Sequence, residues 1–320
     1  MKKDFLSWFA KAKTRNQVLN EKAIAEYEGG KFVEPDVFDF EVFTGGKVGG
    51  SSTKAFVMLK GKYLSELYNE VKNKPDCNYV SCVNEKIKDC TWEEFKDFPV
   101  SIIGKKARYG DPDYTRAELI YSRLSNIFGL KTGFTIPLTE DYLTIASVDV
   151  LGFVPDPSGS EIDAEHRSQQ IETFNELTES LIGRKSCISS WIRALRETID
   201  KHQKYWQLSP EHIDTLIHDL IKIYMIRRYV FSDKDLHGEN IGFVHSGDYK
   251  DLSIAPSIDM EFCGKNSSVF FKETQEDFEF QLKMDLAHLN IRHPQHLNSV
   301  IYDLKQVRDN NSEAVMGYIC

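Results

Sequence analysis

Long hydrophobic runs are missing from this sequence. No stretch approaches the roughly 20 apolar residues that a membrane span requires, so no membrane-embedded segment is expected. The start, with Lys2 and Lys3 ahead of Phe5-Leu6-Ser7-Trp8-Phe9-Ala10, has the polarity of a secretory leader, but its apolar run is short and Lys11 and Lys13 interrupt it. Positive charge is also scarce. The 320 residues carry 40 Lys and Arg against 49 Asp and Glu, a net charge of −9, which excludes the basic field of an autonomous nucleic-acid binder. Cysteine is thin: Cys77, Cys82, Cys90, Cys187, Cys263 and Cys320 are scattered, with no CxxC pair and no His beside the first three. That pattern argues against a disulfide framework and against zinc, and fits reduced thiols in the cytoplasm. No internal repeat or low-complexity tract is present. What remains is ordinary globular composition, 41% hydrophobic and 28% charged, long enough for one bilobal unit or two modest domains.

The densest chemistry lies in Asp235-Leu236-His237-Gly238-Glu239-Asn240, with Asp259 nineteen positions after Asn240. An Asp followed five residues later by Asn has the spacing of a kinase catalytic loop. In such a loop the Asp accepts the substrate hydroxyl's proton, the Asn holds Mg²⁺, and a further Asp on the next strand pair completes the metal site. Apolar residues at helical spacing from Ile213 to Ile223 predict a helix over 212–230 ahead of the loop. Strands are expected at 241–244 and 252–255, joined by the turn residues 245–250, so that Asp259 follows a hairpin folding back on the loop. Asp235, Asn240 and Asp259 are therefore the candidate catalytic residues, with Asn240 and Asp259 as Mg²⁺ ligands. His237 belongs to the nucleotide-binding loop, where a backbone or carboxylate partner suits it better than a metal.

Upstream, strands are expected at 38–43 and 55–59, flanking a stretch that ends Gly49-Gly50-Ser51-Ser52-Thr53-Lys54. Glycines between strands let backbone N–H groups approach phosphate oxygens, and neighbouring lysines offset their charge. Residues 100–107 read as a strand carrying Lys105 and Lys106, and 115–128 as a helix carrying Glu118 and stopping at Gly129. A strand lysine with a helix glutamate matches the ion pair that orients ATP phosphates. The two lysines point to opposite faces of a strand, so one of them reaches the nucleotide. The pattern favours Lys106 slightly as the partner of Glu118. Closing strands are expected at 134–138 and 142–150, and a hinge at 151–159. Helices are expected over roughly 161–183, 187–206 and 276–310. This gives an α+β chain of bilobal, protein-kinase-like type. Residues 1–37 form an N-terminal helical extension, 38–150 a strand-rich small ATP-binding lobe with an insertion at 67–98, and 151–320 a mostly helical large lobe.

These segments resemble, in the right order over roughly 38–265, the HipA-like serine/threonine kinases of bacterial toxin–antitoxin systems. The likeness rests on Gly49 to Ala55, on Asp111-Pro112-Asp113 through Glu118 to Leu130, on Asp235 to Phe243, and on Ala255-Pro256-Ser257-Ile258-Asp259. Asp233 stands where family members commonly carry Asn, and the resemblance implies a compact version of the family's architecture. The resemblance implies ATP and Mg²⁺ as cofactors, a protein substrate, an antitoxin-like inhibitor as partner, and silencing by phosphorylation of a loop serine, here Ser51 or Ser52. Asp235-Leu236-His237 and Ile258-Asp259-Met260-Glu261 also look like the aminoglycoside and choline phosphotransferases, which act on small molecules. A non-catalytic pseudokinase scaffold is the third reading, against which the joint presence of Asp235, Asn240 and Asp259 counts.

Overall fold

The computed structural model describes residues 40–42, 54–59, 61–73, 87–96, 100–133, 135–137, 144–148, 170–257, 259–264 and 274–319. The expected N-terminal helices, the glycine-rich residues 49–52 and the hinge at 151–159 lie outside them. The chain divides into two compact units, Met1–Arg123 with Lys131–Arg167, and Leu124–Leu130 with Ser168–Cys320. No helix among the described residues is long and apolar enough to cross a membrane.

The first unit is built on a five-stranded antiparallel sheet of β1 (Phe40–Val42), β2 (Lys54–Leu59), β3 (Val100–Lys106), β4 (Thr135–Pro137) and β5 (Thr144–Val148), in the order β1-β2-β3-β5-β4. Between β2 and β3 runs α1 (Gly61–Asn73), which buries Leu64, Leu67 and Val71. Their spacing puts all three on one face. They share the core with Ile87 and with Phe95 of the short α2 (Trp92–Phe95), and Tyr68 packs its ring against both Trp92 and Phe95. The expected insertion at 67–98 begins in mid-helix, and the described residues Leu67, Val71, Ile87 and Phe95 within it are buried.

After β3, the Asp111 carboxylate accepts the Asp113 N–H at 2.9 Å, and Pro112 opens α3 (Pro112–Ile127). Proline suits a first helical turn, where its missing N–H leaves nothing unpaired. The helix ends as the sequence predicts. Gly129 adopts a φ of 69°, and the N–H groups of Gly129 and Leu130 return to the carbonyls of Asn126 and Ser125. That is a Schellman ending, which favours glycine because a Cβ is strained at positive φ.

The second unit is mostly helical around a three-stranded antiparallel sheet, β6 (Gln170–Thr173), β7 (Gly242–His245) and β8 (Ser253–Ile254). Here the helix expected over 161–183 is overturned where the structure describes it. Gln170–Thr173 is a strand paired with β7, and only α4 (Phe174–Thr178) is helical. The sheet edge supplies partners for the strand's backbone groups. Thr173 then caps α4, its hydroxyl accepting from the Glu176 N–H while Glu176 receives the Thr173 N–H.

Next, α5 (Ile188–Trp206) buries Trp191, Ile192, Leu195 and Ile199, and α6 (Pro210–Met225) buries Leu216, Ile217, Leu220 and Tyr224. α6 runs directly into a π-helical turn, Ile226–Val230. The single helix expected over 276–310 is two, α7 (Gln275–Arg292) and α8 (Pro294–Ile319). Pro294 has no N–H to donate and its ring disfavours helical backbone at His293, so the helix must stop and restart there.

Candidate functional site

In the second unit, the loop residues Asp233 to Asn240 and the Asp259 segment are brought together by a buried arginine that the sequence reading did not select. Arg227 sits on the π turn with no exposed surface. Its Nε and Nη2 donate to Oδ2 of Asp233 at 2.8 and 2.6 Å, its Nη1 to the Asn240 carbonyl at 2.9 Å, and its Nη2 to the Asp259 carbonyl at 3.2 Å. One guanidinium therefore ties the start of the loop, its end and the Asp259 segment into a single network. Burial, the largest influence, disfavours the charged form, but the facing Asp233 carboxylate, with further contributions from Cys263 and Asp259, offsets it and raises the arginine's pKa. Arg227 follows Leu220 and Ile223 at a spacing where the helical period calls for an apolar residue, the one trace it leaves in the sequence.

Asp233 has a definite structural part. While Oδ2 engages Arg227, Oδ1 accepts the Asp235 N–H at 3.0 Å, and the Asp233 N–H donates back to the Arg227 carbonyl at 2.8 Å. The loop closes on itself at its other end: the Asn240 side-chain amide donates to the Asp235 carbonyl at 2.8 Å, and the Asn240 N–H to the His237 carbonyl at 2.9 Å. An amide anchored through its nitrogen keeps its oxygen for another partner, which is what ligation of a hard cation needs. Asp259 adopts a φ of 57°, a left-handed conformation that Asp tolerates better than most residues. Its segment is pinned where Ser125 donates to the Met260 sulfur at 3.4 Å and the Gly264 N–H donates to the Phe231 carbonyl at 2.7 Å. Asn240 and Asp259 supply hard oxygen donors suited to Mg²⁺ and unsuited to zinc.

Asp235 itself is buried. Its Oδ1 accepts a short hydrogen bond from Nε of Arg184, a second residue the sequence reading missed and one without a motif to mark it. His237 lies with Nε2 3.8 Å from the same oxygen, while its Nδ1 accepts the Glu239 N–H at 3.3 Å. Burial is the largest influence on the Asp235 carboxyl and holds its pKa above the usual carboxylate range. Arg184 opposes this, as does His237 when protonated, and the charge of Asp259 adds to the upward push.

In the first unit, Lys105 donates to Oε2 of Glu118 at 2.6 Å, and both residues are buried. This corrects the lean toward Lys106. Lys105 lies opposite the fully buried Ile145 in the β3–β5 register, on the inward side of the sheet where Glu118 of α3 can meet it. Lys106 is the last residue of β3 and Lys54 the first of β2.

No protein-family model matches this chain, and no curated protein sequence matches it. Among solved structures, the Helicobacter pylori proinflammatory kinase CtkA is similar at 14% identity and a TM-score of 0.36, over 61% of this chain and 61% of that one. A chain of the Shewanella oneidensis MR-1 toxin–antitoxin complex of HipA, HipB and operator DNA is similar at 12% identity and a TM-score of 0.43, over 93% of this chain and 64% of that one. This chain spans under two thirds of the length of each. Both likenesses are distant.

Proposed function

We propose that this protein is an ATP-dependent phosphotransferase that acts on a serine or threonine hydroxyl of a protein, in the manner of the HipA-like kinases. The observation that carries the reading is the network around Arg227, which joins the loop holding Asp235 and Asn240 to the backbone of Asp259. A surface loop with a capping Asp has no use for a fully buried guanidinium bonded to three separate backbone and side-chain groups.

In this reading Asp235 receives the proton of the attacking hydroxyl, and Asn240 and Asp259 would hold Mg²⁺. The metal, when bound, offsets the negative charge of the transferring phosphoryl group. Lys105, oriented by Glu118, would contact the nucleotide phosphates, and the glycine-rich residues 49–52 with Lys54 would cover them. A bilobal kinase arrangement, with an antitoxin-like inhibitor protein as partner, belongs to the same proposal.

Incubating the purified chain with γ-labelled ATP and Mg²⁺, with and without cell lysate, tests the proposal. Label on the chain itself or on a discrete lysate protein is the expected result. Label confined to small metabolites would place the protein with the small-molecule phosphotransferases. Intact nucleotide binding without transfer would leave a pseudokinase scaffold.

A further inference from the structure

Helix α7 is fixed to the rest of the second unit by one face. Leu289 and Asp285 are buried on it, and the Phe278 ring packs against Tyr229 and under the Arg228 guanidinium. The Asp285 carboxylate accepts from the Ile188 N–H at 3.0 Å, from the Tyr224 hydroxyl at 2.8 Å and from the Tyr229 hydroxyl at 2.5 Å. These bonds set the rotation of the helix about its own axis. At about 3.6 residues per turn, Phe280, Met284, Ala287 and Ile291 then lie on the opposite side. All four are exposed, Phe280 at 65%, Met284 at 53% and Ile291 at 72%. A helix with one buried face ordinarily turns polar residues outward, so an apolar stripe on its outer face marks a second packing surface.

We propose that this stripe is a self-association surface, on which α7 of a second copy of the chain packs antiparallel about a two-fold axis. Its residues are spaced four, three and four apart, the interval at which one helix meets another along its length. In an antiparallel pair centred between Asp285 and Leu286, Phe280 of each copy faces Ile291 of the other, and Met284 faces Ala287. A larger side chain meets a smaller one at every level, a match that the stripe makes with its own reverse. A parallel pair in register would instead set Phe280 on Phe280 and leave a gap between two copies of Ala287.

Charge selects the same direction. The first turn of α7 carries Glu276 and Asp277, with Glu279 just beyond, and its last turn carries Arg292. Antiparallel packing sets the acidic start of each helix beside the basic end of the other and opposes their dipoles, whereas a parallel pair places acid against acid. The acidic start and the chain's net charge of −9 also work against an anionic lipid surface as the occupant. None of the residues given a part in phosphotransfer lies on this face.

Sedimentation equilibrium of the full chain, without nucleotide, tests the proposal. Wild type should approach twice the monomer mass as its concentration rises to about 0.1 mM. Met284→Asp and Ile291→Asp should each weaken the dimer at least about tenfold, and Arg292→Glu by less. Tyr205→Asp, at an exposed aromatic on α5, should leave it unchanged. All four substitutions fall on exposed side chains, and circular dichroism matching wild type at low concentration verifies that each variant is folded. Mixing Phe280→Cys with Ile291→Cys protein under oxidising conditions reads the direction by mass spectrometry. A disulfide between positions 280 and 291 is expected, and links between two copies of the Phe280→Cys protein overturn the antiparallel pair. A wild type still monomeric at the highest concentration overturns the proposal, as does a dimer that both aspartate variants on the stripe leave intact. Co-sedimentation of such a monomer with phosphatidylserine vesicles would give the stripe to a lipid surface instead.

Discussion

At the scale of single residues, Asp235 holds two opposed requirements. Burial isolates it from water, while the proposed chemistry needs it ionised. Asp235→Asn should keep the fold and nucleotide affinity and lose at least about 10³-fold in label transfer, because the proton acceptor matters chiefly in the transition state. The same substitution has a thermodynamic signature. A carboxyl whose folded pKa is raised favours the fold most when protonated, below its unfolded value, and loses that contribution as pH rises through the folded value. Asp235→Asn, permanently neutral, should therefore melt higher than wild type at neutral pH. The gap should close as pH falls below the ordinary Asp range, and thermal melts across pH check it.

Arg227 carries a different penalty. Arg227→Met would leave Asp233 buried without its counter-ion, a change that costs about 3–5 kcal/mol where a buried pair is broken. Replacing both, as Arg227→Met with Asp233→Asn, should recover much of that loss in urea titration, because the uncompensated charge is gone. Recovery of stability without recovery of transfer would separate the pair's structural part from its positioning of Asn240 and Asp259.

At the scale of elements, the loop from Asp233 to Asn240 is held by what it packs against as much as by its own sequence. Gly238 is the tightest point: a Cβ built there would stand 2.0 Å from Oδ1 of Asn175. That oxygen is already committed to the Ile182 N–H, so the side chain cannot swing aside cheaply. Gly238→Ala should destabilise by about 1–3 kcal/mol, the usual range for overpacking, and lower transfer by loosening the register between the loop and the Arg184 segment. Adding Asn175→Ala relieves the clash but removes the clip. The double variant should thus regain stability, measured by urea titration, more fully than it regains transfer.

For the whole molecule, the acid response is written into the helical unit. His218, His288, His293 and His296 gather where α6, α7 and α8 meet, with ring centroids 5.5–5.9 Å apart along the series, and His296 reaches Asp214 at 3.1 Å. Burial first, then Arg196 and the neighbouring imidazoles, push the His293 pKa down to about 4. Because the folded value lies below the unfolded one, near 6.5, the unfolded chain takes up the proton first. Stability should therefore fall as pH drops from 6.5 toward 4. His293→Gln should show a shallower loss across that window, and melts of the two proteins compared from pH 7 to pH 4 test it.

The sequence by itself determined those features whose physical cause is local. The glycine ending of α3 follows from positive φ, and the helices over 188–206 and 212–230 follow from hydrophobic period. The pairing of Asp235 with Asn240 has a local cause, since a tight loop fixes side-chain positions over a few residues. Tertiary structure decided what depends on distant partners. Gln170–Thr173 pairs as a strand because β7 offers an edge, an opportunity that no local window displays. Lys105 is the residue that meets Glu118 because sheet packing selects one face of β3, a choice that alternation leaves open. Arg184 reaches the loop, and Arg227 reaches the Asn240 and Asp259 carbonyls, only across folded chain. Their influence depends on distance and burial, and neither quantity exists until the chain has closed on itself.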